Sequence, residues 1–205
     1  MYGTCTKCST PLQQYTILSE TKFETLVACP KCQSGVITQL NTTNARVAVK
    51  YLKNENVPKR YWYAVLEDKH MRFRDSNYVL DGECGIYYIG ESGIGKTYLT
   101  VAWLNYWLYN GRKCHYINWS DFMVKLRMDI KQYDEMKRKA LEYDCIFIDD
   151  FDATNQYMYD IVYNFVNTLY NEPKITFFNS IELPTQSKLA MRIGEMTKQI
   201  KLVRR

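Results

Sequence analysis

Gly90-Glu91-Ser92-Gly93-Ile94-Gly95-Lys96-Thr97 is a glycine-rich run that ends in lysine and threonine. It satisfies G-x4-G-K-[ST], and its flanks supply the context that this motif requires. Before it, Gly85-Ile-Tyr-Tyr-Ile89 reads as a short buried strand; after it, an apolar helical pattern runs to Asn110-Gly111. A strand that feeds a glycine-rich turn into a helix directs backbone amides at an anion, and the helix N-terminus favours negative charge there. Gly90, Gly93 and Gly95 let the chain fold round phosphates, with Glu91, Ser92 and Ile94 between them. Lys96 is expected to reach the β- and γ-phosphates of a nucleotide, and the Thr97 hydroxyl to bind Mg²⁺.

Such a loop needs a carboxylate on a neighbouring strand. Asp144-Cys-Ile-Phe-Ile148, an apolar strand, runs directly into Asp149 and Asp150. Asp149 is expected to hold the Mg²⁺ through water. Asp150 either polarises an attacking water or serves as a helix cap or surface acid. Lys174-Ile-Thr-Phe-Phe178 reads as a further strand ending at Asn179-Ser180. Asn179 there would either orient water beside the γ-phosphate or cap the turn.

Working outward, strands and helices alternate. Lys113-Cys-His-Tyr-Ile117 is a strand, a helix starts at Ser120 and Asp121, and another runs near Tyr133 to Tyr143. A long helix is expected over 155–171, a short one over Ser187 to Ile193, and a last strand over Gln199 to Val203. That alternation predicts an α/β fold, a parallel sheet with helices on both faces. Towards the N-terminus, residues 44–53 carry helical spacing with Asn44 as the cap, and Asn54 to Pro58 break it. The expected organisation is a small N-terminal domain over 1–40, a linker helix over 41–58 and a nucleotide-binding domain over 59–205.

The first four of seven cysteines give the small domain its reading. Cys5-x2-Cys8 and Cys29-x2-Cys32 are separated by twenty residues, 9 to 28. Two short knuckles of this kind turn four thiolates toward one tetrahedral Zn²⁺. Tyr15-Thr-Ile-Leu18 and Glu24-Thr-Leu-Val27 read as short strands between them, which makes a zinc ribbon. Disulfides are the competing use; the start Met-Tyr-Gly-Thr-Cys has no basic and apolar leader, so a reducing cytoplasm is expected and zinc is favoured. Cys84, Cys114 and Cys145 stand singly in apolar surroundings and read as core residues.

Composition narrows the remaining classes. The 205 residues carry 27 Lys+Arg against 22 Asp+Glu, a net +5, with 46% hydrophobic and 24% charged residues. Those values fit a folded globular chain and exclude a disordered tail or a collagen-like repeat. No apolar run approaches the ~20 residues that cross a bilayer. A charge of +5 permits a nucleic-acid partner without demanding one. Lys125, Arg127 and Lys131, with Tyr133, fall in the helical region between the second and third strands of the core. There they form either a track for single-stranded DNA, with basic groups on phosphates and an aromatic on bases, or an ordinary solvated face.

Taken together these segments resemble the DnaC/DnaI family of replicative helicase loaders, a branch of the AAA+ ATPases. Gly90 to Thr97 matches its Walker A loop, Ile146-Phe-Ile-Asp149-Asp150-Phe151 its Walker B strand, and Ile175-Thr-Phe-Phe-Asn179-Ser180 its sensor-1 strand. Val57-Pro58-Lys59-Arg60-Tyr61 is similar to the segment that leads into the family's core, and DnaI-like members carry an N-terminal zinc domain where Cys5 to Cys32 stand. Three departures accompany the likeness. The sensor strand reads Asn179-Ser180-Ile181 where the family has Thr-Ser-Asn. The family's two C-terminal arginines, four apart, are Lys188 and Arg192 here. The chain is compact, which suits a bacteriophage or mobile element.

The resemblance implies an ATPase that binds ATP, Mg²⁺ and Zn²⁺, self-associates through its ATP sites and docks a hexameric replicative helicase onto single-stranded DNA. Arg192 would complete a neighbour's pocket in trans, since a lysine at 188 cannot reproduce a guanidinium fork; the competing use of Arg192 is a pair with an acid such as Glu195. Two other functions fit the same residues: a nucleotide-switched adaptor that inhibits helicase loading, and an IstB-like transposition ATPase, whose family does not as a rule carry a CxxC ribbon.

Overall fold

The computed structural model of the chain describes residues 13–18, 23–28, 35–39, 50–62, 64, 66, 84–109, 111–172 and 174–203. Two compact units make it up, Met1–Tyr51 and Leu52–Arg205, and each is described by itself. In the first, strands β1 (Gln13–Leu18), β2 (Phe23–Ala28) and β3 (Gly35–Gln39) form an antiparallel sheet in that order. β1 and β2 are the two strands expected between the cysteine knuckles; β3 is a third that the sequence reading did not assign. Ala28 pairs with Gly35, so Cys29 and Cys32 belong to the sequence joining β2 to β3. Cys5, Cys8, Cys29 and Cys32 themselves lie outside the described residues.

The second unit is built on five parallel strands. They are β4 (Gly85–Ile89), β5 (Cys114–Asn118), β6 (Cys145–Asp149), β7 (Ile175–Ser180) and β8 (Thr197–Lys201), in the spatial order β5-β6-β7-β4-β8. The connecting helices are α1 (Lys96–Tyr109), α2 (Trp119–Met128), α3 (Lys131–Glu142), α4 (Tyr159–Tyr170) and α5 (Ser187–Met196). From β4 the chain crosses to the edge at β5, steps back through β6 and β7, and ends on the other side of β4 at β8. The order therefore reverses at β4, which gathers the C-terminal ends of β4, β6 and β7 where an open α/β sheet binds its ligand.

The inner strands β4, β6 and β7 are covered on both faces and read as near-continuous apolar runs, whereas the edge strand β8 leaves Lys198, Gln199 and Lys201 exposed. On one face Phe147 stacks on Phe177 at 4.6 Å, Phe177 meets Trp103 of α1 at 5.6 Å, and the Trp103 indole donates to the Tyr88 hydroxyl at 2.9 Å. Tyr87, Ile146, Ile148 and Phe178 belong to the core cluster on the other, with Trp119 and Phe122 of α2, Phe165 and Val166 of α4, and Leu189 and Ile193 of α5. The segment before the core is tied to α1: Asn105, buried, donates its amide to the carbonyls of Trp62 at 3.1 Å and Ala64 at 2.9 Å.

Two elements differ from the sequence expectation. The helix expected over 155–171 opens with a 3-10 turn, Gln156–Met158, and becomes α-helical only at Tyr159. The Asn155 side chain accepts from the Tyr157 amide at 3.1 Å and its carbonyl from the Met158 amide, so it caps the 3-10 turn. The last strand starts at Thr197, two residues before its expected start, because α5 runs straight into it. The Thr197 hydroxyl donates to the Ile193 carbonyl at 2.6 Å and closes the helix.

Candidate nucleotide-binding site

Between β4 and α1, Gly93 and Gly95 adopt φ values of 77° and 102°, a region that side chains avoid, so these two positions of the loop call for glycine. Lys96, buried, donates its ammonium to the carbonyls of Gly90 at 2.7 Å and Glu91 at 2.8 Å, so the loop curls round its own lysine. One residue on, the Thr97 hydroxyl donates to Asp149 Oδ1 at 3.0 Å, joining the start of α1 to the end of β6. A hydroxyl and a carboxylate in contact are hard oxygen donors, the set that suits Mg²⁺. Among the described residues no cluster of three or more His, Cys, Asp or Glu forms a separate metal site.

β7 stands between β4 and β6, and Asn179 occupies its end. The side chain is fully buried. Its amide nitrogen donates to Thr100 Oγ1 at 2.9 Å and to Asp149 Oδ1, and its oxygen accepts from the Asp150 backbone amide at 3.0 Å. Its backbone carbonyl accepts from the Phe151 amide at 2.8 Å. Asn179 is thus the knot that holds the loop after β6 to α1. Ser180, next along, bonds with the Tyr87 hydroxyl at 2.8 Å on the opposite face.

Asp150 follows Asp149 in the left-handed region, at φ 55°, where aspartate is one of the few tolerated side chains. Burial raises its carboxyl above the ordinary range, and the charge of Asp149 beside it acts in the same direction while Lys96 opposes both. A carboxyl shifted upward next to a phosphate loop is a recurrent property of sites that move protons.

Two members of this constellation were not singled out by the sequence reading. Thr100 had a faint signal, one helical turn beyond Lys96 on the same face of α1. Tyr116 had none; its hydroxyl donates to Asp149 Oδ2 at 2.6 Å from the edge strand β5.

The remaining expected residues stand elsewhere. Arg192 on α5 is half-buried; its Nε donates to the Tyr163 hydroxyl at 3.5 Å and its guanidinium lies 4.3 Å from the Tyr170 ring centre, both on α4. On its own chain the charge of Glu195 also acts on it, alongside these tyrosines. Lys188 is exposed. Lys125, Arg127 and Lys131 are exposed at α2 and the start of α3. Tyr133, expected beside them as a stacking platform, packs against the core instead, and burial raises its phenol. The ring falls on the apolar stripe of α3 that also buries Met136 and Ala140. Cys114 and Cys145 are buried side by side on paired strands, where burial pushes the Cys114 thiol well up, and Cys84 is half-buried.

A P-loop, a carboxylate strand and a sensor strand inserted between them mark one superfamily of ATPases, and residues 84–197 match the family described as the bacterial DnaA ATPase domain. The chain belongs to that family. Its fold is that of the AAA+ ATPases. The crystal structure of DnaI superposes with a TM-score of 0.59 at 18% identity, covering 72% of this chain and 95% of that one. The crystal structure of the DnaC helicase loader gives 0.55 at 20%, covering 71% and 99%. The replication initiator DnaA bound to AMPPCP and single-stranded DNA gives 0.57 at 19%, covering 73% of this chain. The chain spans only 46% to 51% of the DnaA chains it matches. No protein of curated function matches the sequence.

Proposed function

We propose that this AAA+ ATPase is a helicase loader, which binds a hexameric replicative helicase and places it on single-stranded DNA at the initiation of replication. The observation that carries the reading is the bonded set Lys96, Thr97, Asp149, Asp150 and Asn179 at the C-terminal edge of the sheet, in a chain that spans nearly the whole of the DnaC and DnaI structures. In this reading ATP lies along Gly90 to Thr97, with Lys96 released from its loop carbonyls to the β- and γ-phosphates. Mg²⁺ neutralises the phosphate charge when bound, held by Thr97 and, through water, by Asp149. Asp150 takes a proton from the attacking water, Asn179 keeps both aspartates in place, and Arg192 of one subunit completes the pocket of the next. Hydrolysis is weak outside the assembly, because each site is incomplete without its neighbour.

Residues 1–40 act as a zinc ribbon with Cys5, Cys8, Cys29 and Cys32 as ligands, and dock the helicase; 41–58 link it to the ATPase domain of 59–205. Lys125, Arg127 and Lys131 contact the phosphates of single-stranded DNA in the cytoplasm. The experiment is co-purification with the host's replicative helicase in ATP and in ADP. A stable complex that depends on nucleotide supports the loader; no association in either state overturns it.

A second reading has one specific observation in its favour. Arg192 is held by Tyr163 and Tyr170 of its own chain, which is compatible with an adaptor that binds ATP as a switch and does not use Arg192 in trans.

A further inference from the structure

We infer that Tyr116 is a positioning residue of the nucleotide site, fixing the Asp149 carboxylate for the magnesium ion from the edge strand of the sheet. The inference rests on the reading of Asp149 as the magnesium-holding acid and adds a residue to it.

Tyr116 on β5 pairs with Phe147 on β6, and Asn118 with Asp149. Paired side chains of adjacent parallel strands share a face, so Tyr116, Phe147 and Asp149 all face α1, the helix that carries Thr97. Asp149 stands two residues further along than the partner of Tyr116, an offset of roughly 6.6 Å. A phenol leaning along the strand spans that distance. Its hydroxyl lands 2.6 Å from Asp149 Oδ2. A phenylalanine at this position would lose that contact.

The chemistry of the contact matters because both groups are out of water, Tyr116 at 3% exposed and Asp149 at 2%. Thr97 and Asn179 both donate to Oδ1, so each of their bonds acts on one oxygen of the carboxylate. Tyr116 grips the other. Two oxygens held from opposite sides fix the rotation of the carboxylate plane, which donors on one oxygen alone leave free. In this contact the hydroxyl donates and the carboxylate oxygen accepts. Outer partners of this kind orient the ligands of a metal without touching it.

The test is nucleotide binding by the full chain, measured with a fluorescent ADP analogue across a Mg²⁺ titration and in EDTA. Tyr116→Phe is expected to leave affinity in EDTA within about twofold, while the Mg²⁺ concentration needed to tighten binding rises about tenfold. Asp149→Asn should abolish the magnesium response, and adding Tyr116→Phe to it should change that response no further. Equal losses with and without Mg²⁺ would show a packing role and overturn the inference. So would a wild-type magnesium response in Tyr116→Phe, or a further loss of that response in the double variant. A wild-type protein whose nucleotide affinity ignores Mg²⁺ would fail the assignment of Asp149 itself, and the inference with it.

Discussion

Asp150 is the residue whose conformation the sequence conceals and whose chemistry it displays. Two adjacent acids after four buried apolar residues are readable as a metal carboxylate followed by a second acid; nothing in the string announces that the second one turns to φ 55°. That turn is held by the Asn179 oxygen on the Asp150 amide, a contact between residues 29 apart. Asn179 was legible as a polar group at a strand end, and the choice left open there, water orienter or turn cap, meets a side chain bonded to Thr100, Asp149 and the Asp150 amide together. At this scale two outcomes follow. Lys96→Ala should abolish ATP binding, whereas Asp150→Asn should bind ATP normally and lose hydrolysis by about a hundredfold or more, the ordinary contribution of a general base; equilibrium binding and phosphate release separate the two. Hydrolysis should also fall on acidification at a higher pH than an ordinary aspartate would give. The Asp150 carboxyl is raised by burial and by Asp149, and only its deprotonated form accepts a proton. A pH–rate profile measured beside Asp150→Asn checks this: the acidic limb should disappear in the variant.

Among the elements, the parallel strands and the helices between them were legible because each pattern is long and apolar enough to survive without tertiary help. The differences fall at element ends, where a local hydrogen bond sets the boundary: Asn155 caps the 3-10 turn ahead of α4, and Thr197 closes α5. Tyr133 shows the limit of reading residue types by proximity. Its neighbours Lys131 and Asp134 are exposed, but helical spacing turns the ring inward with Met136. The contact that bears on assembly is the one between α4 and α5, where Arg192 rests on Tyr163 and Tyr170. If Arg192 acts in trans it must leave that cradle when a neighbour docks. Arg192→Ala should then bind ATP and fail to hydrolyse it, and mixing it with Lys96→Ala should restore part of the activity, because Lys96→Ala subunits still present Arg192 to intact pockets. Wild-type turnover by Arg192→Ala alone would assign the residue to its own chain and favour the adaptor.

At the level of the whole molecule, the sequence divides its information unevenly. The ATPase core is legible from one motif and its flanks, since the P-loop requires a strand before it and a helix after it. The order β5-β6-β7-β4-β8 is not, because the inner parallel strands β4, β6 and β7 are of similar apolar composition and carry no label for their neighbours. For the N-terminal unit, the proposed zinc ligands are read from cysteine spacing alone, and the described part is the three-stranded antiparallel sheet, in which Ala28 pairs with Gly35. Protein prepared without chelators should carry one zinc per chain by metal analysis. Cys29→Ser with Cys32→Ser should release it and leave nucleotide binding intact; a metal-free preparation would refute the ribbon. The central claim is that ATP-dependent assembly on a helicase delivers that helicase to DNA. Its most direct measurement is the transfer of the host's hexameric replicative helicase onto circular single-stranded DNA, which offers a ring no free end to thread. The account predicts transfer with the wild-type protein and ATP, and none with Lys96→Ala. A helicase that is bound by this protein and never transferred, whatever the nucleotide, would contradict it.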